Sequence, residues 1–160
     1  MDKQPPQTFD EITAFHEAGH AVVALALDRP VQKVRVIPGQ ELLGKCEFKK
    51  GVFRPSVDWL ENEILIALAG FAAEARRTGT YDLVAAGQDM RYVRRLALQR
   101  TSERAVERLE KRMLSKVENL LGDDGNWRAV ESIAAELVKR GTISGRAARH
   151  LFDRAQESVE

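Results

Sequence analysis

The chain has 160 residues, enough for one core of ordinary size, and 25 Lys and Arg against 24 Asp and Glu leave a formal net charge of +1. Charged residues, 31% of the chain, mix both signs along it, which argues against the one-sign field that nucleic-acid binding needs. At 44% hydrophobic the chain can form a core, and its single cysteine, Cys46, excludes an internal disulfide or a multi-cysteine zinc knuckle and suits a reducing cytoplasm.

The opening MDKQPPQ places an acid and prolines where a signal peptide would carry a basic residue and an apolar run. The longest apolar stretches, 21–27 and 64–73, are far shorter than the roughly 20 residues that cross a bilayer. The expectation is one soluble, cytoplasmic domain over 1–160, with 1–8 a flexible leader and no membrane insertion.

Within residues 9–28, Ile12, Phe15, Gly19, Val22 and Ala26 recur at helical spacing, and Pro30 is the expected stop. Residues 31–38 alternate, with Val34 and Val36 opposite Lys33 and Arg35, so a strand is predicted, followed by a turn at Gly39. Residues 43–48 alternate again, with Cys46 and Phe48 opposite Lys45 and Glu47, and the two runs read as a hairpin or neighbouring strands. Pro55 and Ser56 mark a helix start, Val57, Leu60, Ile64, Ala67, Leu68 and Phe71 continue it, and Gly79 ends it. A loop over 78–87 leads to a helix from about Gln88. Three further helices are predicted over 102–121, 126–139 and 144–157, with Gly122 and Gly141 as C-terminal caps. The fold class is mainly α (α+β): a helical domain carrying one small β-hairpin or sheet.

The first predicted helix contains His16-Glu17-Ala18-Gly19-His20, an HExxH motif. Four residues of helix rise about 6 Å through slightly more than one turn, so both imidazoles leave one face and can reach one ion. Glu17 is offset around the helix, where it can reach a water on the metal rather than join the ligands. Only three histidines are present and two hold this spacing, with apolar Ala21, Val22 and Val23 beside them. Surface histidines matching by chance would not need that setting. A catalytic zinc takes three protein ligands and leaves a place for water. Residue chemistry offers Glu74, Asp82, Asp89 and His150 as the third and does not choose among them.

The chain resembles the peptidase domain of the FtsH-type ATP-dependent zinc metalloproteases, over about residues 12–151. The likeness lies in His16-Glu17-Ala18-Gly19-His20-Ala21-Val22-Val23, in residues 31–44 with their Leu43-Gly44 step, and in Ala69-Gly70-Phe71-Ala72-Ala73-Glu74. It continues in Ala86-Gly87-Gln88-Asp89-Met90 and in residues 137–145. The resemblance implies Zn²⁺ held by His16, His20 and Asp89, Glu17 as general base, and Glu74 as a partner that fixes a ligand histidine. It also suggests that Leu43, Gly44, Lys45 and Cys46 form a strand edge able to pair with an extended polypeptide substrate.

Two departures stand out. Phe71 occupies a position where the family has arginine. No GxxxxGK[ST] phosphate loop is present, so no ATPase activity is expected of this chain, and substrate delivery would fall to a separate ATPase or to self-association. The basic Lys45, Lys49, Lys50 and Arg54 read as a solvated face. The expected activity is a zinc metalloendopeptidase acting on unfolded or flexible polypeptides. The alternatives are a catalytically weak zinc-binding adaptor or regulatory domain, or an excised domain of a longer ATP-dependent protease.

Overall fold

The computed structural model describes residues 10–36, 44–48, 59–84 and 86–157, the segment 44–48 through its backbone. Helices α1 (Glu11–Ala26), α2 (Trp59–Thr78), α3 (Gly87–Arg100), α4 (Val106–Gly122), α5 (Asp124–Arg140) and α6 (Gly145–Glu157) dominate. Strands β1 (Val31–Val36), β2 (Gly44–Phe48) and β3 (Thr142–Ser144) form one antiparallel sheet in the order β2-β1-β3. The mainly helical class with a small sheet therefore holds. No helix among the described residues is long and apolar enough to cross a membrane.

The centre of the molecule is α1. Asp10 caps it, its carboxylate accepting from Thr13 N at 2.7 Å, which satisfies one of the helix's free N–H groups. Nearly every side chain from Ala14 to Leu25 is buried, so the helix is enclosed on all sides rather than on the single stripe its spacing predicts. Ile12, expected on that stripe, is exposed. Helix α1 packs on α2, α5 and β1. Its stop comes before Pro30: Asp28 takes the left-handed conformation (φ 60°), and Arg29 N closes back on Ala24 O at 2.7 Å.

At the front of β1, Val31 pairs with Phe48 and Lys33 with Glu47, which leaves a bulge at Gln32. The bulge lets Val31 join Val34 and Val36 in the core despite the odd spacing. Strand β3 is an addition to the predicted elements. Thr142 and Ile143, expected as part of a closing helix and turn, pair with Arg35 and Val34 on the other side of β1.

Helix ends divide the glycine expectations. Gly79 and Gly141 stand at positive φ (89° and 77°) just after α2 and α5, as the sequence leads one to expect. Gly122 does not cap in that way. It is the last residue of α4, and the extended Asp123 both ends α4 and caps α5 by accepting from Asn126 N at 3.0 Å. The helix start expected at Pro55 and Ser56, the turn at Gly39, and Leu43, Lys49, Lys50 and Arg54 lie outside the described residues.

Candidate metal centre

Helices α1 and α2 approach each other closely because small residues meet at the crossing. A Cβ on Gly19 of α1 would stand 2.5 Å from Ala73 Cβ and 2.6 Å from the carbonyl oxygen of Ala69, both on α2. One turn away, Gly70 of α2 faces the imidazoles of His16 and His20. A Cβ there would lie 2.5 Å from His20 Nε2 and 2.6 Å from His16 Nε2. The bare backbone of α2 is thus one wall of the site.

That wall also orients both rings. His20 Nδ1 lies 2.7 Å from the carbonyl oxygen of Ile66, a group that only accepts, so Nδ1 carries the proton and donates it. His16 Nδ1 lies 3.0 Å from Glu74 Oε2 and donates to that carboxylate in the same way. In the neutral rings the Nε2 lone pairs are therefore free, and both point into one space.

Asp89, in the first turn of α3, brings a carboxylate into the same space. Its Oδ2 is 2.8 Å from His16 Nε2 and 3.1 Å from His20 Nε2, and the two nitrogens are 3.2 Å apart. Donor atoms bound to one tetrahedral zinc at about 2.0–2.1 Å would stand about 3.3 Å apart. The triangle is a few tenths of an ångström tighter and fits such an ion. Glu17 brings a further carboxylate close: one of its oxygens lies within 4.8 Å of His16 and His20 nitrogens. Its side chain is buried, and its Oε2 has no hydrogen-bond partner among the described residues. A buried oxygen left without a partner marks a place for a further polar group.

Charge in the site is arranged to match a cation. Burial, which alone would lower the His16 pKa, is outweighed by hydrogen bonds to Asp89 and Glu74, and the ring is held up to about 10. His20 is raised as well, against its burial, chiefly by its bond to Asp89. Burial pulls Asp89 upward, but the bonds from His16 and His20 win and hold it well below the usual carboxylate range. Glu17 is raised by burial, with His20 and His16 opposing. Three carboxylates around two imidazoles are thus balanced by protons, and a divalent cation can take that role.

The remaining sequence candidates lie elsewhere. Asp82 folds onto its own loop, where Oδ1 accepts from Val84 N at 3.1 Å. His150 is exposed on α6. Gly44, Lys45 and Cys46 lie in β2, opposite Val36, Arg35 and Val34, at one edge of the sheet among the described residues. Phe71 is buried and stacks on Tyr81 with ring centroids 4.5 Å apart. The sequence reading missed Gly70 and the Ile66 carbonyl. A glycine inside a helix costs about 1 kcal/mol against alanine, and that was the available signal for Gly70. A backbone acceptor leaves none.

The family model for Peptidase family M41 matches residues 6–103, a span that contains α1, α2 and all three converging donors. The chain belongs to peptidase family M41. Over 90 residues, 54% of this M41 chain, it is 36% identical to an ATP-dependent zinc metalloprotease FtsH from Pelobacter propionicus. It is 33% identical over 96 residues, 57% of the chain, to ATP-dependent zinc metalloprotease FtsH 4 from Sorangium cellulosum. A 34-residue stretch, 20% of the chain, is 65% identical to an FtsH from Magnetococcus marinus. The matched regions make up 14%, 15% and 5% of those relatives, so the M41 chain spans a small part of their length.

Proposed function

We propose that this chain is a zinc metalloendopeptidase that hydrolyses unfolded or flexible polypeptides, with zinc held by His16 Nε2, His20 Nε2 and Asp89 Oδ2. The observation that carries the reading is the meeting of those three atoms within 3.2 Å of one another, beside a buried carboxylate with an unpartnered oxygen. Zinc, when bound, supplies Lewis acidity that polarises a carbonyl oxygen and makes water acidic enough to lose a proton near neutral pH.

The protein's own groups do the rest. Glu17 Oε2 takes the proton of the attacking water and delivers it to the nitrogen of the leaving amine. Its burial raises its basicity above that of an exposed glutamate, which suits both transfers. Glu74 and the Ile66 carbonyl hold the imidazole protons on Nδ1 and keep Nε2 facing the ion. The edge of β2 offers backbone groups at Gly44, Lys45 and Cys46 to an extended substrate; such pairing reads little side-chain identity. The relatives' names couple zinc proteolysis to ATP. By that likeness, substrate arrives here as an unfolded chain, brought by an ATP-driven partner or by assembly with further copies.

The test is cleavage of an unfolded protein such as casein by the zinc-loaded chain, beside Glu17→Gln. Activity in the wild type alone is expected. Equal inactivity of both, with zinc bound to both, would favour a zinc-binding adaptor instead.

A further inference from the structure

Asp89 reaches the two histidines from the first turn of α3, where Ala86 and the partly buried Met90 are the apolar anchors. Helix α3 has no side-chain cap, and its buried residues Val93, Leu96 and Ala97 all follow the first turn. The loop before it carries Leu83 and Val84 in solvent. One turn after Asp89, on the same side of α3, Tyr92 donates its hydroxyl proton to Glu63 Oε2 of α2 at 3.0 Å. Glu63 is buried, only 7% exposed, and its other oxygen is ion-paired with the guanidinium of Arg29, in the link between α1 and β1.

The spacing on α2 gives this tie its meaning. Glu63, Ile66, Gly70 and Glu74 follow at intervals of three, four and four, so they lie along one face of the helix. That face grips Tyr92 with Glu63, holds His20 through the Ile66 carbonyl, passes both rings at Gly70, and holds His16 with Glu74. The histidines and α3 are thereby referenced to the same helix.

We propose that Tyr92 is a positioning residue of the metal centre. Its bond to Glu63, itself fixed by Arg29, sets the first turn of α3 so that Asp89 Oδ2 meets His16 and His20 without rearrangement. This rests on the zinc reading above. Without the hydroxyl, the turn must be ordered at the moment the ion binds, and affinity falls by that cost.

The experiment measures cobalt(II) and zinc affinity by competition with a chromophoric chelator, and the cobalt ligand-field spectrum, for the full chain. Wild type is compared with Tyr92→Phe, and with Tyr81→Phe as a control in the preceding loop. Tyr92→Phe is expected to bind both metals about 10-fold more weakly, with an altered cobalt spectrum. Its metal-free circular dichroism and Tm should stay close to wild type, and amides of the first turn of α3 should exchange faster. Tyr81→Phe should bind as wild type does.

Equal affinity and spectrum in Tyr92→Phe and wild type would overturn the proposal. So would a lower metal-free Tm with unchanged affinity, since the tie would then be structural only. If wild type bound metal no better than a chain carrying both His16→Ala and His20→Ala, the zinc reading itself would fall, and this inference with it.

Discussion

Gly70 and His20 are so close that a Cβ on the glycine would lie 2.5 Å from the ring Nε2. No rearrangement of a flexible side chain relieves that contact, because His20 is also tied through Nδ1 to the Ile66 carbonyl of the same helix. Gly70→Ala is therefore expected to separate α2 from the rings and weaken zinc binding by about 100-fold. The gain in helix propensity, about 1 kcal/mol, partly offsets the strain, so Tm should move less than affinity does. Chelator competition and thermal melts read the two effects separately, and wild-type affinity in this variant would show that the wall does not constrain the site.

Glu74 is expected to act through His16. In Glu74→Gln the amide oxygen still accepts from Nδ1 but no longer carries a charge, which makes the ring a poorer donor. Zinc stoichiometry should remain one per chain while affinity falls about 10-fold to 100-fold. Loss of all zinc would place Glu74 among the ligands.

The metal-free site should be proton-loaded. Hydrogen bonds to Asp89 and Glu74 hold the His16 ring up to about 10, above the ordinary imidazole value of about 6.5, and metal binding needs the neutral ring. Zinc affinity should therefore rise with pH between about 6 and 9, with protons released on loading, as calorimetry in buffers of different ionisation enthalpy can count. The same shift has a sign for stability. A raised pKa contributes stability fully present below 6.5 and lost as pH climbs through about 10. The Tm of metal-free protein should fall from pH 7 to 10, and a flat profile would contradict the protonated state.

Gly145 starts α6 hard against β1, and a Cβ there would run into the carbonyl oxygen of Val31. The obstacle is backbone on both sides. Gly145→Ala is expected to cost about 1–3 kcal/mol or more. Denaturant unfolding should show a lower midpoint, with zinc stoichiometry retained in the folded fraction.

The parts of the fold legible in sequence are those with long periodic signals or committed caps. Helix α5 and its stop at Gly141 are of this kind. What was not legible is short or made by backbone. Strand β3 has three residues, too few for alternation to register, and it exists because β1 has a second edge to pair. The left-handed Asp28 ends α1 where Pro30 gave the louder signal. In the site, the helical spacing of His16 and His20 could be read directly. Asp89 could not be chosen from residue chemistry, since it lies 73 residues from His16 and Glu74, Asp82 and His150 offer similar donors. The likeness to a family supplied that choice, and the geometry sets Asp89 beside both rings while Asp82 is spent on its own turn.

Of the three carboxylates around the histidines, Glu74 bonds to His16 Nδ1, and the proposed mechanism gives Asp89 and Glu17 different work on the Nε2 side. The most direct measurement is zinc content per chain, by mass spectrometry of the native protein, for wild type, Glu17→Gln and Asp89→Ala. One zinc in wild type and in Glu17→Gln, with zinc largely lost from Asp89→Ala, is the expected result. Zinc kept by Asp89→Ala and lost from Glu17→Gln would contradict it, because Glu17 would then be the ligand and not the base.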